Sequence, residues 1–461
     1  MTDLDVVVIG GGISGLTAAR ALCRQGLDVR LFEREPACGG VIKTDRVGDF
    51  IIDAGPDTLL AHKPAAIGLV RALGLADSLV APLPRRTTYV VRRNTLRTLP
   101  EASAMGLPTN WHTLITASAF SWHGKVRMAA EGLLPPRPPT ADDESISAFV
   151  RRRFGGEAVK YVAEPVLAGL HRGDAGRLSL RALFPVLADA ERHHGSVTRA
   201  WRNLPARAGG GGSLSLRWGL GQLVAGISAR LPEGVAVTGS DVTAVERDDR
   251  GFRVHVRDRA SITTRAVLLA TPAHVSSTLA AGLDAELASL CGGIRYVSVV
   301  NVALGYSKDA VRNPLRGWGV VVPAGEQRRV RSLSWVSSKW PGRAPDGSVL
   351  IRASLGGWDD GALMAACDRE LIDWAQDDVR DLLGTSASPT FARVYRLPLA
   401  MPQLEVGHLD RMAAIERRLT TLPGVFVSAS GFRGVGLPDC IADAQTTAER
   451  VAGYLHSSTT G

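Results

Sequence analysis

The sequence has 461 residues, of which 45% are hydrophobic, 5% aromatic and 21% charged; this composition excludes a disordered, collagenous or disulfide-scaffold protein and indicates two or three domains. The net charge is +9, and only six of the 54 basic residues are lysines. This arginine excess is weak evidence for nucleic acid, which we do not expect as a partner, whereas it suits carboxylate ligands and anionic lipid headgroups.

The five cysteines are scattered and form no Cys-x-x-Cys pair, which favours reduced thiols in the cytoplasm. No stretch reaches the roughly 18 uncharged apolar residues that a spanning helix needs, and Met1–Asp5 carries two acids and leads directly into a strand, unlike a secretory signal. We expect a cytoplasmic protein that is either free in solution or peripheral to a membrane. The histidines lack zinc-like spacing, so we predict no metal.

The N-terminus has a strand–loop–helix–strand pattern. The β-branched run Val6–Ile9 predicts a buried parallel strand, a G-x-G-x-x-G loop follows it, and the second strand ends at Glu33. Such a loop brings backbone and a helix N-terminus to a pyrophosphate, while Glu33 accepts hydrogen bonds from a ribose diol. The loop residues that we expect at the nucleotide are Gly10, Gly12, Ile13, Ser14 and Gly15.

The next segments favour FAD over NAD. Paired glycines at 39–40 and a returning strand that ends in Asp53-Ala54-Gly55-Pro56 resemble the FAD-containing amine oxidase and protoporphyrinogen oxidase superfamily, in which these segments line FAD. A second G-x-G-x-x-G is missing, because the cluster 209–212 fails at Leu214; this favours an oxidase or desaturase over an NADPH-dependent enzyme. The resemblance implies further FAD contacts at Arg34, Gly39, Gly40, Val41, Gly55, Pro56, Asp57, Val242 and Thr271.

The middle of the chain alternates between helical and strand patterns. Residues 110–208 show almost no period-2 alternation and are predicted to be helical, with acids at 142–144 in the first turn of a helix. Strands are predicted at 89–99, in a hairpin at 242–256, at 266–270 and in several runs between 296 and 354. An amphipathic helix is predicted at 368–383.

The C-terminal strand Val425–Ser428 leads through a glycine-rich loop into a helix over 439–455. The positive N-terminus of this helix would stabilise the anion of reduced flavin, and we expect Val435, Gly436 and Leu437 there; a plain surface turn is the alternative. Cys440 lies inside the helix start, unlike the amine-oxidase attachment pattern, so we predict a buried thiol and non-covalent FAD.

Several segments resemble protoporphyrinogen oxidases more than amine oxidases. They are 164–174, 191–196, 335–345, 400–408 and 434–441, and the resemblance covers essentially the whole chain. It implies FAD-dependent oxidation of protoporphyrinogen IX or coproporphyrinogen III to the porphyrin in haem biosynthesis, with six electrons passing to O2 to give H2O2. A related amine oxidase or desaturase of secondary metabolism, and a non-catalytic FAD-binding protein, remain alternatives.

The resemblance also implies substrate contacts. Gly169 stands where a family glycine carbonyl meets the pyrrole N–H groups; its alternative is an ordinary turn glycine. The family arginine that pairs a propionate falls on Thr88, a departure that leaves the choice of porphyrinogen open. Arg86 and Arg172 are our candidates for that role, each with plain surface solvation as its alternative, and the added arginines tilt the choice slightly towards the four carboxylates of coproporphyrinogen.

We therefore predict an α/β (α+β mixed) fold, in which a Rossmann-like two-dinucleotide-binding FAD domain is combined with a mixed-sheet substrate domain and a helical insert. The insert is either membrane-associating, through Trp111, Phe120 and Trp122, or packs these aromatics inward. The oligomeric state is left open, a homodimer being one expectation. The predicted divisions are FAD domain 1–84, 209–275 and 410–461, substrate domain 85–109 and 276–409, and insert 110–208.

Overall fold

A computed structural model describes residues 4–84, 87–100, 106–107, 111–138, 142–203, 212–357, 361–385 and 387–457. The strands are β1 Leu4–Ile9, β2 Val29–Phe32, β3 Thr44–Val47, β4 Phe50–Asp53, β5 Leu59–Leu60, β6 Leu79–Val80, β7 Thr88–Arg92, β8 Thr95–Thr98, β9 Ser213–Leu216, β10 Ala236–Val237, β11 Val242–Asp248, β12 Gly251–Val256, β13 Ile262–Leu269, β14 Arg295–Ser307, β15 Gly319–Val321, β16 Val330–Trp335, β17 Ser348–Leu355, β18 Phe391–Gln403 and β19 Val425–Val427. The helices are α1 Ile13–Cys23, α2 Pro64–Ala72, α3 Trp111–Thr116, α4 Trp122–Ala129, α5 Ile146–Phe154, α6 Gly156–Ala158, α7 Leu180–Leu183, α8 Pro185–His194, α9 Val197–Asn203, α10 Gly221–Ser228, α11 Ala273–Ala280, α12 Ala285–Gly292, α13 Val336–Lys339, α14 Asp368–Leu383, α15 His408–Thr420 and α16 Leu437–Ser457, with a π-helix at Val159–Ala168.

The first sheet has the order β10-β2-β1-β13-β12-β11, with β19 beside β13. Strands β10, β2, β1, β13 and β19 are parallel, and β12 and β11 extend the sheet as an antiparallel hairpin. Helices α1, α2, α10 and α16 bury one face, and α11, α12 and α15 bury the other. Parallel strands covered on both faces explain why β1 is an uninterrupted apolar run, as predicted.

The second sheet has the order β18-β14-β17-β16-β15-β7-β8 and is antiparallel except for the pair β15–β7. Its longest strands, β14 and β18, pair along most of their length. The apolar face of α14, with Leu371, Ala375 and Val379, packs against this sheet and closes a separate core. The sheet's other side meets residues 53–57 of the first half of the molecule, which places the two sheets on either side of one junction.

Helices α3–α9 enclose a third core of their own. The described residues of 111–203 hold helices and no strand, which confirms the helical prediction for them. One detail was wrong: the acids at 142–144 precede the helix, because α5 begins at Ile146 and Ser145 caps it by accepting the N–H of Ala148 at 3.2 Å. The mixed α/β fold class is confirmed, whereas the domain boundaries stay a prediction.

Candidate functional site

Two glycines of the motif cannot carry a side chain without a steric clash: Gly10 in the loop between β1 and α1, and Gly15 in the first turn of α1. Gly10 has φ +107°, and a Cβ there would lie 2.7 Å from the carbonyl oxygen of Ala270. A Cβ on Gly15 would lie 1.9 Å from the carbonyl oxygen of Gly10. Because they have no side chain, these glycines let the loop, the strand and the helix pack closely, which is the role that the motif predicts.

Gly12 is different, because a Cβ there would meet nothing within 4 Å. Its backbone is extended, with φ −69°, and Gly40 lies next to it, the Cβ position of Gly40 being 3.5 Å from the Cα of Gly12. Ile13 and Ser14 form the first turn of α1, where backbone N–H groups have no partner within the helix. An open cradle beside unpaired N–H groups fits the pyrophosphate of a dinucleotide.

Glu33 lies immediately after β2 and faces the same loop. Its Oε2 accepts the N–H of Gly11 at 2.6 Å and its Oε1 accepts that of Glu35 at 2.8 Å. A carboxylate has about four acceptor sites, so the two oxygens retain capacity for a ribose diol. Arg34 is exposed and pairs with Glu35 at 3.4 Å.

Two other expected cofactor residues border this region. Thr271 adjoins the loop, with its Cγ2 3.0 Å from the Cβ position of Gly10. Val242 begins β11, and two residues before it the N–H of Ser240 donates to the carbonyl of Glu33 at 2.8 Å. The structure thus brings Gly10, Glu33, Val242 and Thr271 to one end of the first sheet.

The segments at 39–42 and 53–57 pack against each other and against the glycine loop. Gly39 donates its N–H to the carbonyl of Gly11 at 2.8 Å. A Cβ on Gly55 would lie 2.1 Å from the carbonyl oxygen of Val41, and the Val41 side chain itself is exposed. Gly39, Gly40, Val41 and Gly55 therefore continue the surface that begins at Gly12.

Two residues of the second sheet hold segment 53–57, and sequence reasoning missed both. Arg352 on β17 donates to the carbonyls of Asp53 at 2.9 Å and Gly55 at 2.8 Å. Asn301 on β14 donates to the carbonyl of Ala54 at 2.8 Å. The one available signal was a charged residue inside the apolar run of β17. These bonds fix a predicted cofactor segment to the opposite sheet.

Asp57 is buried in an ion cluster at this junction. It lies 3.2 Å from Lys339 and 3.3 Å from Arg352, and Thr58 donates to it at 2.6 Å. Burial alone would raise the pKa of Asp57, but the two cations and the hydrogen bonds outweigh burial and hold its pKa well below the ordinary value. Asp57 is therefore an anion whose charge is already matched by Lys339 and Arg352.

The glycine-rich loop at 431–436 leads into α16, which packs along α1. α16 begins at Leu437, two residues before the start that the sequence predicts, so Val435 and Gly436 lie just ahead of the helix and Leu437 is its first residue. Asp439 in its first turn pairs with Lys63 at 2.6 Å. Cys440 is buried, which raises the pKa of its thiol to about 12 and keeps it protonated, as the prediction of a buried, unmodified thiol requires.

Gly169 follows the π-helix with φ −60°, and its carbonyl accepts the N–H of Arg172 at 3.3 Å. A Cβ there would meet only the carbonyl oxygen of Glu164, at an ordinary 3.5 Å, so the turn itself does not require glycine. Close by, burial and the charge of Lys63 lower the pKa of His171 to about 4. Lys63 also pairs with Asp439 in the first turn of α16.

Arg172 has a left-handed backbone, with φ +54°. Its Nη2 donates to the hydroxyl of Ser332 at 3.0 Å, and burial, together with the charges of Arg352 and Arg331, lowers its pKa to about 10. No carboxylate pairs with Arg172 among the residues that the structure describes. The other arginine candidate, Arg86, lies outside the described residues.

The described parts of the chain show neither a metal-binding cluster nor a membrane-spanning helix. They contain no group of three or more His, Cys, Asp or Glu side chains placed to hold a metal ion. Among their helices, none is both long enough and apolar enough to cross a membrane.

Comparisons with known proteins are consistent with this geometry. The family model described as flavin-containing amine oxidoreductase matches residues 13–452. The chain is 31% identical to coproporphyrinogen III oxidase of Bacillus subtilis, covering 98% of both chains. It is 34% identical to the enzyme of the same name from Propionibacterium freudenreichii, covering 97% of this chain and 90% of that one. A solved structure from Exiguobacterium, assigned as a protoporphyrinogen oxidase, superposes with TM-score 0.88 at 27% identity, covering 98% of this chain and 99% of that one.

Proposed function

Since this chain belongs to the flavin-containing amine oxidoreductase family, we propose that it oxidises a porphyrinogen, specifically coproporphyrinogen III, to the porphyrin in haem biosynthesis. The observation that carries the proposal is the placement of segment 164–174. The charge of Lys63, which pairs with Asp439 in the first turn of α16, acts on His171 of this segment, and Arg172, which has no carboxylate partner among the described residues, donates to Ser332 on β16. Both named bacterial relatives at 31% and 34% identity are coproporphyrinogen III oxidases.

The cofactor is FAD, and its prediction is confirmed by the family. The open cradle at Gly12 and Gly40 and the acceptor capacity of Glu33 fit it. We propose that the other residues expected from the sequence also contact FAD. They are Gly10, Ile13, Ser14, Gly15, Arg34, Gly39, Val41, Gly55, Pro56, Asp57, Val242, Thr271, Val435, Gly436 and Leu437. When bound, FAD supplies a two-electron acceptor for hydride from a methylene bridge of the substrate.

The protein's own groups have little acid–base work in this chemistry. His171, with a pKa of about 4, is neutral at pH 7 and carries no proton to the substrate. We propose that the Gly169 carbonyl accepts pyrrole N–H groups, while protons shift among the substrate's own nitrogens. Three such oxidations remove six electrons, and three O2 molecules take them up as three H2O2, which balances the conversion of porphyrinogen to porphyrin.

The test is aerobic turnover by the FAD-loaded protein. Coproporphyrinogen III and protoporphyrinogen IX are supplied separately, and porphyrin fluorescence and O2 consumption are followed against an autoxidation blank. We expect fluorescence from coproporphyrinogen III, with about three O2 consumed per porphyrin formed. If neither substrate exceeds the blank, the proposed function is wrong, and H2O2 release from primary amines would then favour the amine-oxidase alternative.

We also propose that the helical block lies against a membrane surface in the cytoplasm. Phe120 is buried, whereas Trp122 is 70% exposed and Leu133 87% exposed, with Lys125 on the same helix as Trp122. The side chain of Trp111 is outside the described part of the structure. An exposed aromatic and aliphatic surface beside a lysine is typical of an interfacial helix. A homodimer stays a prediction from the sequence.

The division into domains is a proposal as well. It is supported by the origin of the strands, because the first sheet takes strands from 4–32, 236–269 and 425–427. The second sheet takes strands from 88–98 and 295–403. The FAD domain would thus be assembled from three separated pieces of chain and the substrate domain from two.

A further inference from the structure

The guanidinium of Arg172 is the starting point, because its charge is not balanced inside the protein. It is partly buried and donates to a neutral partner, the hydroxyl of Ser332, at 3.0 Å. The charged groups that act on it most strongly are two further arginines, Arg331 and Arg352. A partly buried cation that faces other cations is unfavourable unless an anion joins it.

The nearby acidic side chains already have other partners. Asp57 is held by Lys339 at 3.2 Å and by Arg352 at 3.3 Å. Asp174, two residues after Arg172, is exposed and accepts the N–H of Gly176 at 2.7 Å. Neither carboxylate pairs with Arg172, so the region that contains Arg172 has an excess of positive charge.

The two neighbouring arginines differ in how they are used. Arg352 donates its terminal N–H groups to the carbonyls of Asp53 and Gly55 and to the carboxylate of Asp57. Arg331 lies on β16 next to Ser332, and its guanidinium has no hydrogen bond or ion pair with any residue in the described ranges. Arg172 therefore keeps guanidinium donors that remain available, and Ser332 beside it adds a hydroxyl.

The backbone supports the same reading. Arg172 adopts φ +54°, a conformation that L residues seldom take. Its carbonyl oxygen lies 3.9 Å from the Cβ position of Gly357, so this turn is seated against the end of β17. An observed outlier of this kind is a reason to look for a function of the side chain that it positions.

We propose that Arg172 and Ser332 form a binding site for one propionate carboxylate of the porphyrinogen. The site deepens the proposed function and rests on it. A guanidinium binds a carboxylate through two parallel hydrogen bonds, and the hydroxyl of Ser332 is a further donor beside it. Arg172 acts in binding and takes no part in electron transfer.

The test compares the FAD-loaded wild type with Arg172→Gln and Arg331→Gln. For coproporphyrinogen III we expect KM to rise about ten- to hundredfold in Arg172→Gln, the range of one lost charge-assisted hydrogen bond, with kcat little changed. Binding of the product coproporphyrin III, measured by quenching of its fluorescence, should weaken by a similar factor. Arg331→Gln should act in the same direction.

A comparison with protoporphyrinogen IX, which has two carboxylates, shows which propionate Arg172 binds. A KM increase for both substrates supports the site and assigns it to a propionate that they share. An increase for coproporphyrinogen III alone supports it and makes Arg172 a specificity residue.

Arg417→Gln on the exposed face of α15 is the control and should leave KM and product binding unchanged. Unchanged KM and unchanged product binding in Arg172→Gln, in a protein that retains FAD and wild-type kcat, would overturn the proposal. Because the wild type is assayed beside it, this result differs from failure of the proposed function, in which the wild type itself is inactive.

Discussion

At the scale of single residues, the G-x-G-x-x-G motif contains glycines that the structure uses in different ways. Gly15 is required by packing, since a Cβ there would lie 1.9 Å from the Gly10 carbonyl oxygen. Gly12 is not required by packing, since its Cβ position is open and its backbone is extended. Because packing within the protein does not require glycine at position 12, we attribute it to the cofactor, which would occupy the space of a side chain there.

We therefore predict that Gly12→Ala folds as well as the wild type but binds FAD at least about tenfold more weakly, because the methyl group occupies cofactor space. The measurements are the thermal midpoint of the apoprotein and titration of the apoprotein with FAD, followed by flavin fluorescence.

Two further alanine substitutions control this experiment. Gly68→Ala, at an open position on α2, should leave FAD affinity unchanged. Gly15→Ala should lower the thermal midpoint, because its methyl group collides with backbone. Wild-type FAD affinity in Gly12→Ala would show that the cradle is assigned wrongly.

At the scale of elements, one buried ion network explains why the sequence at 191–196 is so distinctive. Arg153 on α5 is fully buried and donates through Nε to Glu131 at 2.8 Å and through Nη2 to the carbonyl of Gly195 at 2.8 Å. Glu131 also accepts the hydroxyl of Ser196 at 2.5 Å and the N–H of Val197 at 3.1 Å. Residues 191–196 thus help to hold α5, α8 and α9 together through the buried pair Arg153–Glu131.

We predict that Glu131→Gln lowers the free energy of unfolding by about 3 kcal/mol at pH 7, because it removes the closer of the two carboxylates that pair with the buried Arg153 and leaves Glu191 at 3.5 Å. Burial alone would raise the pKa of Glu131, but hydrogen bonds from Ser196 and Arg153, with the charge of Arg153, lower it overall. A carboxyl whose folded pKa is below its unfolded pKa stabilises fully above the unfolded value, about 4.3. This contribution is lost as the pH falls through the folded value.

The difference between wild type and Glu131→Gln should therefore narrow below about pH 4, as urea denaturation at a series of pH values would measure. Glu449→Gln, on the exposed side of α16, is the control. The double variant Glu131→Leu/Arg153→Met should recover stability relative to Glu131→Gln, since it removes both charges. A constant difference at all pH values would contradict the role given to this ion pair.

At the scale of the whole molecule, the two sheets meet where segment 53–57 is held by Arg352 and Asn301. Segment 164–174 of the helical block meets the second sheet, where Arg172 donates to Ser332 at 3.0 Å and the carbonyl of His171 accepts Nε2 of Gln403 at 2.8 Å. The proposed site is thus assembled from all three cores. The exposed apolar side chains of the helical block, by contrast, are available to a surface outside the protein.

We predict that the protein sediments with vesicles of anionic phospholipid and less with phosphatidylcholine vesicles, and that added salt weakens the binding. Trp122→Ser combined with Leu133→Ser should reduce sedimentation several-fold, since both side chains would lose burial in the lipid interface. Trp218→Ser, at another exposed tryptophan, should not. Equal binding by the double variant and the wild type would show that this surface does not face a membrane.

The sequence by itself determined the dinucleotide loop, the helical character of 111–203 and the family. These are local properties: glycine spacing, hydrophobic periodicity and motif order are written in consecutive residues, so Gly10, Gly12 and Glu33 could be interpreted without a structure. Only the tertiary structure decided which charges remain unmatched. Asp57, Arg352, Arg331 and Arg172 lie far apart in the chain, and whether an arginine is paired or free depends on neighbours that folding brings together. For that reason Arg352 and Arg331 were not predicted. Only the fold shows that Arg172 lacks a carboxylate partner among the described residues.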